Sequence, residues 1–373
     1  MKLGLFFMPL HRPEKPWAQT LDEDRRTILH AEQLGFTETW VGEHFSTKTE
    51  QVPAPLMFLA TLIHQTTTMR FGTGVVNLGH RHPVVVAAEA ALFDQLSGGR
   101  LMLGVGPGGL ISDGELFGRP DMADRVRIAV ESIDMIIDLW TQEAPFRLDG
   151  EAWTASLSEQ FWPSHGVGQL ARPLQQPHPP LAMALASPDG DSVRMVAERS
   201  FIPISANFVS QSAVKGQWET YRRIRDELGL PIDRSVWRVC RNILVTETDS
   251  ESEEVLADPD GTFGFYFRYL AGVRDMPRLR GIEGEGSPSI PSVAELNDQL
   301  GVAKMFDRCV ISGSAATVTE RLISMVDDLG AFGTLVAVGH DWDDDGRRWL
   351  SSLDRLATEV GPVVAQHMRA TGS

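Results

Sequence analysis

The sequence predicts an α/β protein with a (β/α)₈ TIM barrel that carries insertions. Short apolar runs alternate with longer amphipathic runs along the chain, which is the pattern of strands joined by helices in a parallel sheet. About eight such strand–helix units can be counted. A chain of 373 residues is long enough for a barrel with insertions. A doubly wound sheet of six or seven strands is the alternative that this count leaves open.

The first half of the chain shows the alternation without interruption. The first predicted helix has apolar Leu21, Ile28 and Leu34 at helical spacing, and Gly35 ends it. The third predicted helix has Pro83 in its first turn, where proline is tolerated. The strands predicted here are residues 3–8, 38–42, 69–76 and 100–106, and the helices are residues 20–36, 54–66, 82–96 and 123–140.

The second half continues the alternation, with strand-like runs at residues 181–186, 201–206, 237–248 and 334–338 and helical runs at 189–200, 213–229, 316–330 and 348–368. Two stretches, about 141–180 and 257–305, lack a clear period. We interpret both as insertions into a single domain of residues 1–373, because the same rhythm resumes after each. Long irregular stretches in compact domains are often lids, so 257–305 is a possible active-site lid.

Composition excludes several classes of protein. The formal charge is −16, from 34 basic and 50 acidic residues, which argues against binding nucleic acid or an anionic membrane. Cys240 and Cys309 are the only cysteines, too few for a disulfide framework or a zinc-cysteine site. The chain shows neither an uninterrupted apolar run of about 18 residues nor a signal-peptide pattern. These features favour a cytoplasmic protein.

The His-containing motifs do not predict a metal site. His80 and His82 in "HRH" have no third ligand nearby, and His340 in "HDWDDD" precedes acidic residues that favour the N-terminus of a helix. We therefore expect no metal.

Polar residues directly after a barrel strand are the candidates for function, because barrel enzymes build their active sites there. In "TWVGEHF", Glu43 and His44 follow an apolar run. This pair is either a polar cap at the end of the strand or part of an active site, and residue order alone favours neither.

The motif "GVGPGG", from Gly104 to Gly109, formally matches a dinucleotide fingerprint. The fingerprint has to open a helix that receives the pyrophosphate, but Pro107 lies inside this motif and the following residues, 110–122, are not predicted to be helical. We interpret it as a Gly-rich loop, including Gly106, that lets a ligand approach the backbone closely.

The stretch "LASPDGDSVRMV" places Ser187 between a strand and a helix. A serine hydroxyl and the free amides of a helix N-terminus can bind phosphate, although Asp189 or Asp191 acting as a plain N-cap explains the same pattern. Arg127 and Glu131 lie four residues apart on a predicted helix, which fits an intrahelical ion pair unless a phosphate lies beside Arg127.

Several stretches together resemble the bacterial luciferase-like flavin monooxygenase superfamily, nearest the limonene-monooxygenase and diketocamphane-monooxygenase branch. The resemblance covers residues 1 to about 365. It rests on "AEQLGFTETWVGEHF", "RFGTGVVNLGHRHPVVVAAEAALFDQLSGGRLMLGVGPGG", "DRVRIAVESIDMI", "MALASPDGDSVRMVAERSFIPIS" and "VISGSAATVTERL".

The resemblance implies a barrel that binds FMN at its mouth, with a bulge and a non-proline cis peptide in the third strand against the flavin ring. It assigns His44 a catalytic role. Val105 and Gly106 stand where luciferase has a reactive cysteine, which argues against light emission. The residues expected to bind the cofactor are Gly74, Val75, Asn77, Gly106, Arg127, Ala186, Ser187 and Gly190.

The resemblance also implies chemistry and partners. It predicts a monooxygenase that uses reduced FMN from a separate flavin reductase and O₂ to oxidise a small apolar molecule, by Baeyer–Villiger oxidation or hydroxylation. It further predicts a homodimer through the second and third helices. The alternatives are a deazaflavin-dependent hydride-transfer enzyme, a flavin reductase that uses nicotinamide directly, and a flavin-binding barrel without catalysis.

Overall fold

The computed structural model describes residues 1–274, 291–343 and 345–370. Its strands are β1 Lys2–Phe7, β2 Glu38–Val41, β3 Arg70–Thr73, β4 Val76–Asn77, β5 Leu101–Gly106, β6 Phe146–Asp149, β7 Thr154–Leu157, β8 Leu181–Leu185, β9 Ile202–Ser205, β10 Arg238–Thr246, β11 Val310–Ser314 and β12 Thr334–Val338.

The first seven helices are α1 Trp17–Gln33, α2 Pro55–Ala60, α3 Pro83–Leu96, α4 Ile111–Leu116, α5 Met122–Leu139, α6 Asp191–Arg199 and α7 Gln211–Glu227. Those that follow are α8 Asp249–Ala257, α9 Thr262–Gly272, α10 Val293–Leu300, α11 Val302–Cys309, α12 Ala315–Leu329, α13 Arg347–Arg355 and α14 Gly361–Ala370, with a π-helical turn, Leu356–Val360, joining the last two. None of these helices is long and apolar enough to cross a bilayer.

The main sheet closes on itself, which confirms the (β/α)₈ barrel and excludes the doubly wound alternative. Its strand order is β10-β12-β1-β2-β3-β5-β8-β9, and β9 pairs again with β10. The pairings of β12 with β1 and of β3 with β5 are parallel. β11 lies outside this cycle, where it pairs with the second half of β10, from Asn242 to Thr246.

The chain divides into two compact units. Unit 1 comprises residues 1–39, 48–50 and 184–373, and unit 2 comprises residues 40–47 and 51–183. The boundaries fall within β2 and β8, so each of these strands contributes residues to both units. The single-domain assignment from the sequence remains a prediction.

The two stretches that we expected to be irregular contain regular structure. Residues 141–180 include the antiparallel pair β6–β7, and residues 257–305 include α9, α10 and the first half of α11. Phe263, Tyr266 and Phe267 of α9 are buried in a cluster with Leu244 and Val338 in unit 1. The role of 257–305 as a lid stays a prediction, and residues 275–290 of that stretch lie outside the described residues.

Candidate functional site

Glu43 is a buried acidic residue in unit 2 that follows β2 after one glycine. Its exposed fraction is 2 %. Its Oε1 accepts a hydrogen bond from the backbone amide of Asn77 at 2.8 Å, and Arg81 donates to Oε2 at 3.3 Å. The side-chain amide of Asn77 donates in return to the backbone carbonyl of Glu43 at 2.8 Å. Glu43 therefore fixes the position and the orientation of Asn77.

Burial dominates the acid–base chemistry of Glu43. Loss of solvent raises the pKa of this carboxyl, and the Asn77 amide and Arg81 reduce the increase only in part, so the pKa rises to about 7. A carboxyl that titrates near neutral pH can hold or release a proton under physiological conditions, which is common at functional sites.

His44 follows Glu43 and is partly buried. Its backbone amide donates to the carbonyl of Val52 at 3.4 Å, and the next two amides, of Phe45 and Ser46, donate to the carboxylate of Asp113 at 3.1 and 2.9 Å. Asp113 thus anchors the segment that carries His44. The sequence did not predict this anchor, because it lies on α4, in a stretch that we expected to be non-helical.

The backbone between β3 and β4 has the special geometry that the resemblance implied. The Gly74–Val75 peptide bond is cis, so that expectation is confirmed. Gly106 lies against this segment, since a Cβ built on it would approach Val75 Cγ2 to 2.8 Å. A larger residue at 106 would therefore displace Val75. Gly74, Val75, Asn77 and Gly106 all belong to unit 2, as does His44.

Two arginines of α5 have opposite environments. Arg125 is buried, and its Nη1 donates to the carbonyls of Arg119 and Pro120 at 2.7 and 2.8 Å. Arg127, which the resemblance assigned to phosphate, is 56 % exposed and pairs with Asp124 and Glu151. The expected intrahelical pair with Glu131 is wrong, because the Glu131 carboxylate accepts hydrogen bonds from the backbone amides of residues 151–153 instead.

The Ser187 loop in unit 1 has the features of a phosphate site. α6 begins after Gly190, and no side chain caps its N-terminus, so the expected N-cap by Asp189 or Asp191 is wrong. A Cβ on Gly190 would lie 2.5 Å from the Ser187 hydroxyl oxygen. The space beside that hydroxyl therefore depends on glycine. Uncapped amides, a hydroxyl and open space fit the phosphate of FMN.

His11 lies at the centre of a buried charged cluster that the sequence analysis did not identify. Its Nδ1 is 2.5 Å from Asp341 and its Nε2 is 3.0 Å from Asp24. Burial alone would lower the pKa of His11, but the two carboxylates raise it to about 10. Lys15 donates to Glu23 at 2.9 Å and to Asp341 at 2.7 Å. Ligand atoms of His11, Glu23 and Asp341 come within 4.8 Å of one another, but the Lys15 ammonium already supplies the cation that these carboxylates require.

Arg81 could have been found from the sequence, whereas Asp113 could not. Arg81 lies between two histidines just beyond a predicted strand, and a buried glutamate needs a cation. Asp113 is 68 residues from Phe45, and no local pattern links the two.

Comparison with known proteins agrees with this geometry. The model of the luciferase-like monooxygenase family matches residues 1–331. The chain is 29 % identical to 3,6-diketocamphane 1,6-monooxygenase of Pseudomonas putida, over 98 % of each chain. It is 26 % identical to limonene 1,2-monooxygenase of Rhodococcus erythropolis, over 96 % of this chain and 85 % of that protein.

A solved structure provides the same comparison in three dimensions. The oxygenating constituent of 3,6-diketocamphane monooxygenase from Pseudomonas putida, a type II Baeyer–Villiger monooxygenase in complex with FMN, superposes with a TM-score of 0.80. The match has 28 % sequence identity and covers 97 % of this chain and 98 % of that chain.

Proposed function

The chain belongs to the luciferase-like monooxygenase family, and we propose how its own residues serve that chemistry. It is a flavin-dependent monooxygenase that uses reduced FMN and O₂, with the reduced flavin supplied by a separate reductase. Its substrate is a small apolar molecule, oxidised by Baeyer–Villiger chemistry or by hydroxylation. We place it in the cytoplasm.

One observation carries this proposal: the match over nearly the full length of an FMN-bound oxygenating constituent. An oxygenating constituent works with another component, which supports a partner reductase here. One relative named for a deazaflavin cofactor matches less of the chain: the F420-dependent glucose-6-phosphate dehydrogenase of Amycolatopsis mediterranei aligns with only 31 % of it.

We propose that the Ser187 loop holds the phosphate of FMN. Ala186 directly follows β8, Ser187 offers its hydroxyl, and Gly190 keeps the helix amides accessible. Arg127 is proposed as a further phosphate contact on the resemblance alone. Phosphate would replace its carboxylate partners, and exposed ion pairs contribute little stability, so the exchange costs little.

The flavin ring is proposed to bind against Gly74, Val75, Asn77 and Gly106. When bound, reduced FMN supplies the electrons that activate O₂. Glu43 holds Asn77 in place through two hydrogen bonds. His44 is proposed to hold or transfer a proton at its imidazole and to slow the loss of activated oxygen as hydrogen peroxide.

Aromatic side chains pack against Phe45, the residue that follows His44. Phe45 and Phe117 contact edge to face with centroids 4.9 Å apart, and His80 stacks on Phe117 at 4.7 Å. Such a surface suits an apolar substrate and excludes water from the reacting atoms.

We also propose a homodimer through α2 and α3. Met57 is 75 % exposed and Leu92 is 59 % exposed, and Val85 and Leu96 are exposed as well. Apolar side chains of this size on one pair of helices are typical of a protein interface. A monomer mass by light scattering across micromolar concentrations would exclude the dimer.

The proposed function is tested by supplying a flavin reductase, FMN and nicotinamide to the purified protein with a panel of cyclic ketones and terpenes. We expect an oxygenated product from at least one class, formed only when the reductase is present. Product formation with reduced deazaflavin but not with reduced FMN would contradict the proposal.

A further inference from the structure

A large cavity in unit 1 lies beside β11 and is lined by a buried arginine that has no counter-ion among the described residues. The cavity has a volume of about 800 Å³, which is in the range of small-molecule sites. Its walls are formed by α8, α11, β11 and α12, with Gln211 at the start of α7.

Arg241 of β10 lines this cavity and has an exposed fraction of 2 %. Its Nη1 donates to the carbonyl of Cys240 at 2.8 Å, but its Nη2 is buried without a hydrogen-bond partner among the described residues. Within that same part of the chain no carboxylate pairs with it. Burial lowers the pKa of Arg241, yet a guanidinium keeps its charge in proteins. A buried charge without a partner is costly, so an anion at Nη2 would be strongly favoured.

Two buried hydroxyls line the same cavity. Ser252 of α8 and Ser312 of β11 make no side-chain hydrogen bond to any described residue. A hydroxyl donates one hydrogen bond readily to an oxyanion. Arg241, Ser252 and Ser312 therefore provide unused donors of the kind that bind a carboxylate or a phosphate.

The other residues that line the cavity favour a carboxylate over a phosphate. Asp249 is already engaged by the amide of Ser314 at 2.7 Å and the hydroxyl of Thr317 at 3.0 Å. Three arginines and four acidic residues line the cavity, so it has no excess of positive charge: Arg241, Arg308, Arg321, Asp249, Glu253, Asp307 and Glu320. Repulsion from these carboxylates disfavours a doubly charged phosphate. Leu256, Phe306 and Val310 add an apolar wall.

We propose that this cavity binds a small organic monocarboxylate, with the carboxylate on Arg241 and the hydrocarbon part against Leu256, Phe306 and Val310. The site is separate from the residues proposed for FMN, and it does not depend on the proposed oxygenase activity.

The test measures binding of hexanoate to the full-length protein by calorimetry, with inorganic phosphate as the second probe. We expect saturable hexanoate binding that weakens by roughly tenfold or more in Arg241→Met, because a hydrogen bond to a charged group is lost. Arg308→Met removes an exposed arginine of the same lining and should change the affinity less than twofold. Arg241→Met should keep cooperative thermal unfolding, since methionine fills apolar space and no unpaired charge remains.

Three results would overturn the proposal. The first is the absence of saturable hexanoate binding. The second is an equal loss of hexanoate affinity in Arg241→Met and Arg308→Met. The third is binding of phosphate that depends on Arg241 while hexanoate does not bind. If Arg241→Met does not fold, Ser312→Ala provides the comparison. It should weaken hexanoate binding several-fold while unfolding cooperatively, and an unchanged affinity would reject the site.

Discussion

Glu43 and His11 are both buried titratable groups that follow a barrel strand, but their surroundings have different effects on their charge. Glu43 can be neutral near pH 7, whereas His11 stays charged. Around Glu43, burial outweighs one arginine and one amide, so its pKa rises to about 7 and the carboxyl can be neutral. Around His11, two carboxylates outweigh burial, so its pKa rises to about 10 and the imidazole stays charged.

This difference in charge state makes Glu43 suited to proton transfer and His11 suited to stabilising the fold. Glu43 changes its charge within the working range of most enzymes, and it holds Asn77 next to the proposed flavin site. His11 keeps its charge over that range, and it ties the segment after β1 to Asp24 of α1 and to Asp341 after β12. The number of opposite charges relative to the degree of burial decides between these roles.

The largest expected effect concerns the His11 cluster. His11→Leu should lower the free energy of unfolding by about 3–5 kcal/mol, because Asp24 and Asp341 lose their buried counter-charge. In the wild type, the contribution of His11 is complete below its ordinary pKa near 6.5 and is lost as pH rises through about 10. Denaturant titration from pH 6 to pH 10 measures both effects.

His30→Leu is the matched control, because His30 pairs with Asp354 on a more exposed surface. It should change the free energy of unfolding by less than about 1 kcal/mol. Equal losses in the two variants would mean that the His11 cluster has no special structural role.

His44→Ala should lower product per reduced flavin by roughly 10²-fold, with the missing oxygen recovered as hydrogen peroxide. FMN binding should be nearly unchanged. His82→Ala serves as the control, since His82 caps α3 through a hydrogen bond from the amide of Val84 and should affect stability alone. If His44→Ala still forms as much product per reduced flavin as the wild type and loses only thermal stability, His44 is a strand cap. The active-site interpretation of "TWVGEHF" is then wrong.

Glu43→Gln should change the pH dependence of stability. The folded state of the wild type keeps a proton on Glu43 between its ordinary pKa near 4.5 and about 7. The corresponding stabilisation is complete below pH 4.5 and is lost as pH rises through 7. The glutamine variant should lack this loss, which is about 3 kcal/mol.

Glu89→Gln is the matched control for Glu43, because Glu89 is exposed and pairs with the same Arg81. Between pH 5 and pH 8 the free energy of unfolding of this variant should change with pH as it does in the wild type. If the free energies of unfolding of the wild type and of Glu43→Gln change in parallel with pH, the charge state assigned to Glu43 is wrong.

The smallest expected effect is that of Arg127→Ala, which should weaken FMN binding by about 1 kcal/mol and riboflavin binding by less. Arg147→Ala removes another exposed, ion-paired arginine and should leave both affinities unchanged. If Arg127→Ala loses the same affinity for FMN and for riboflavin, Arg127 does not contact the phosphate and forms only its surface ion pairs with Asp124 and Glu151.

Long periodic elements were predictable, and short or long-range features were not. The predicted strand at 334–338 matches β12, because five consecutive apolar or β-branched residues form a fully buried strand. β11 was missed, since glycine and serine fill three of its five positions. α4 has six residues, too few for a helical period to appear.

The same distinction holds for the candidate site. Glu43 and Asn77 could be placed at the ends of strands, because barrel topology brings strand ends to one side of the sheet. The two hydrogen bonds between them, and the one that Arg81 donates to Glu43, required three-dimensional structure. The His11 cluster joins residues more than 300 positions apart, and no local pattern predicts such a contact.

The central claim is that this chain transfers oxygen from O₂ to an organic substrate with electrons from reduced FMN. The most direct measurement is incorporation of ¹⁸O from ¹⁸O₂ into a cyclic ketone, with reduced FMN supplied by a reductase and hydrogen peroxide removed by catalase. We predict one ¹⁸O atom per product molecule and a yield that depends on both the protein and the reductase. Product without ¹⁸O would contradict the account, as would oxygen uptake that ends entirely as hydrogen peroxide in parallel reactions without catalase across the ketone and terpene panel.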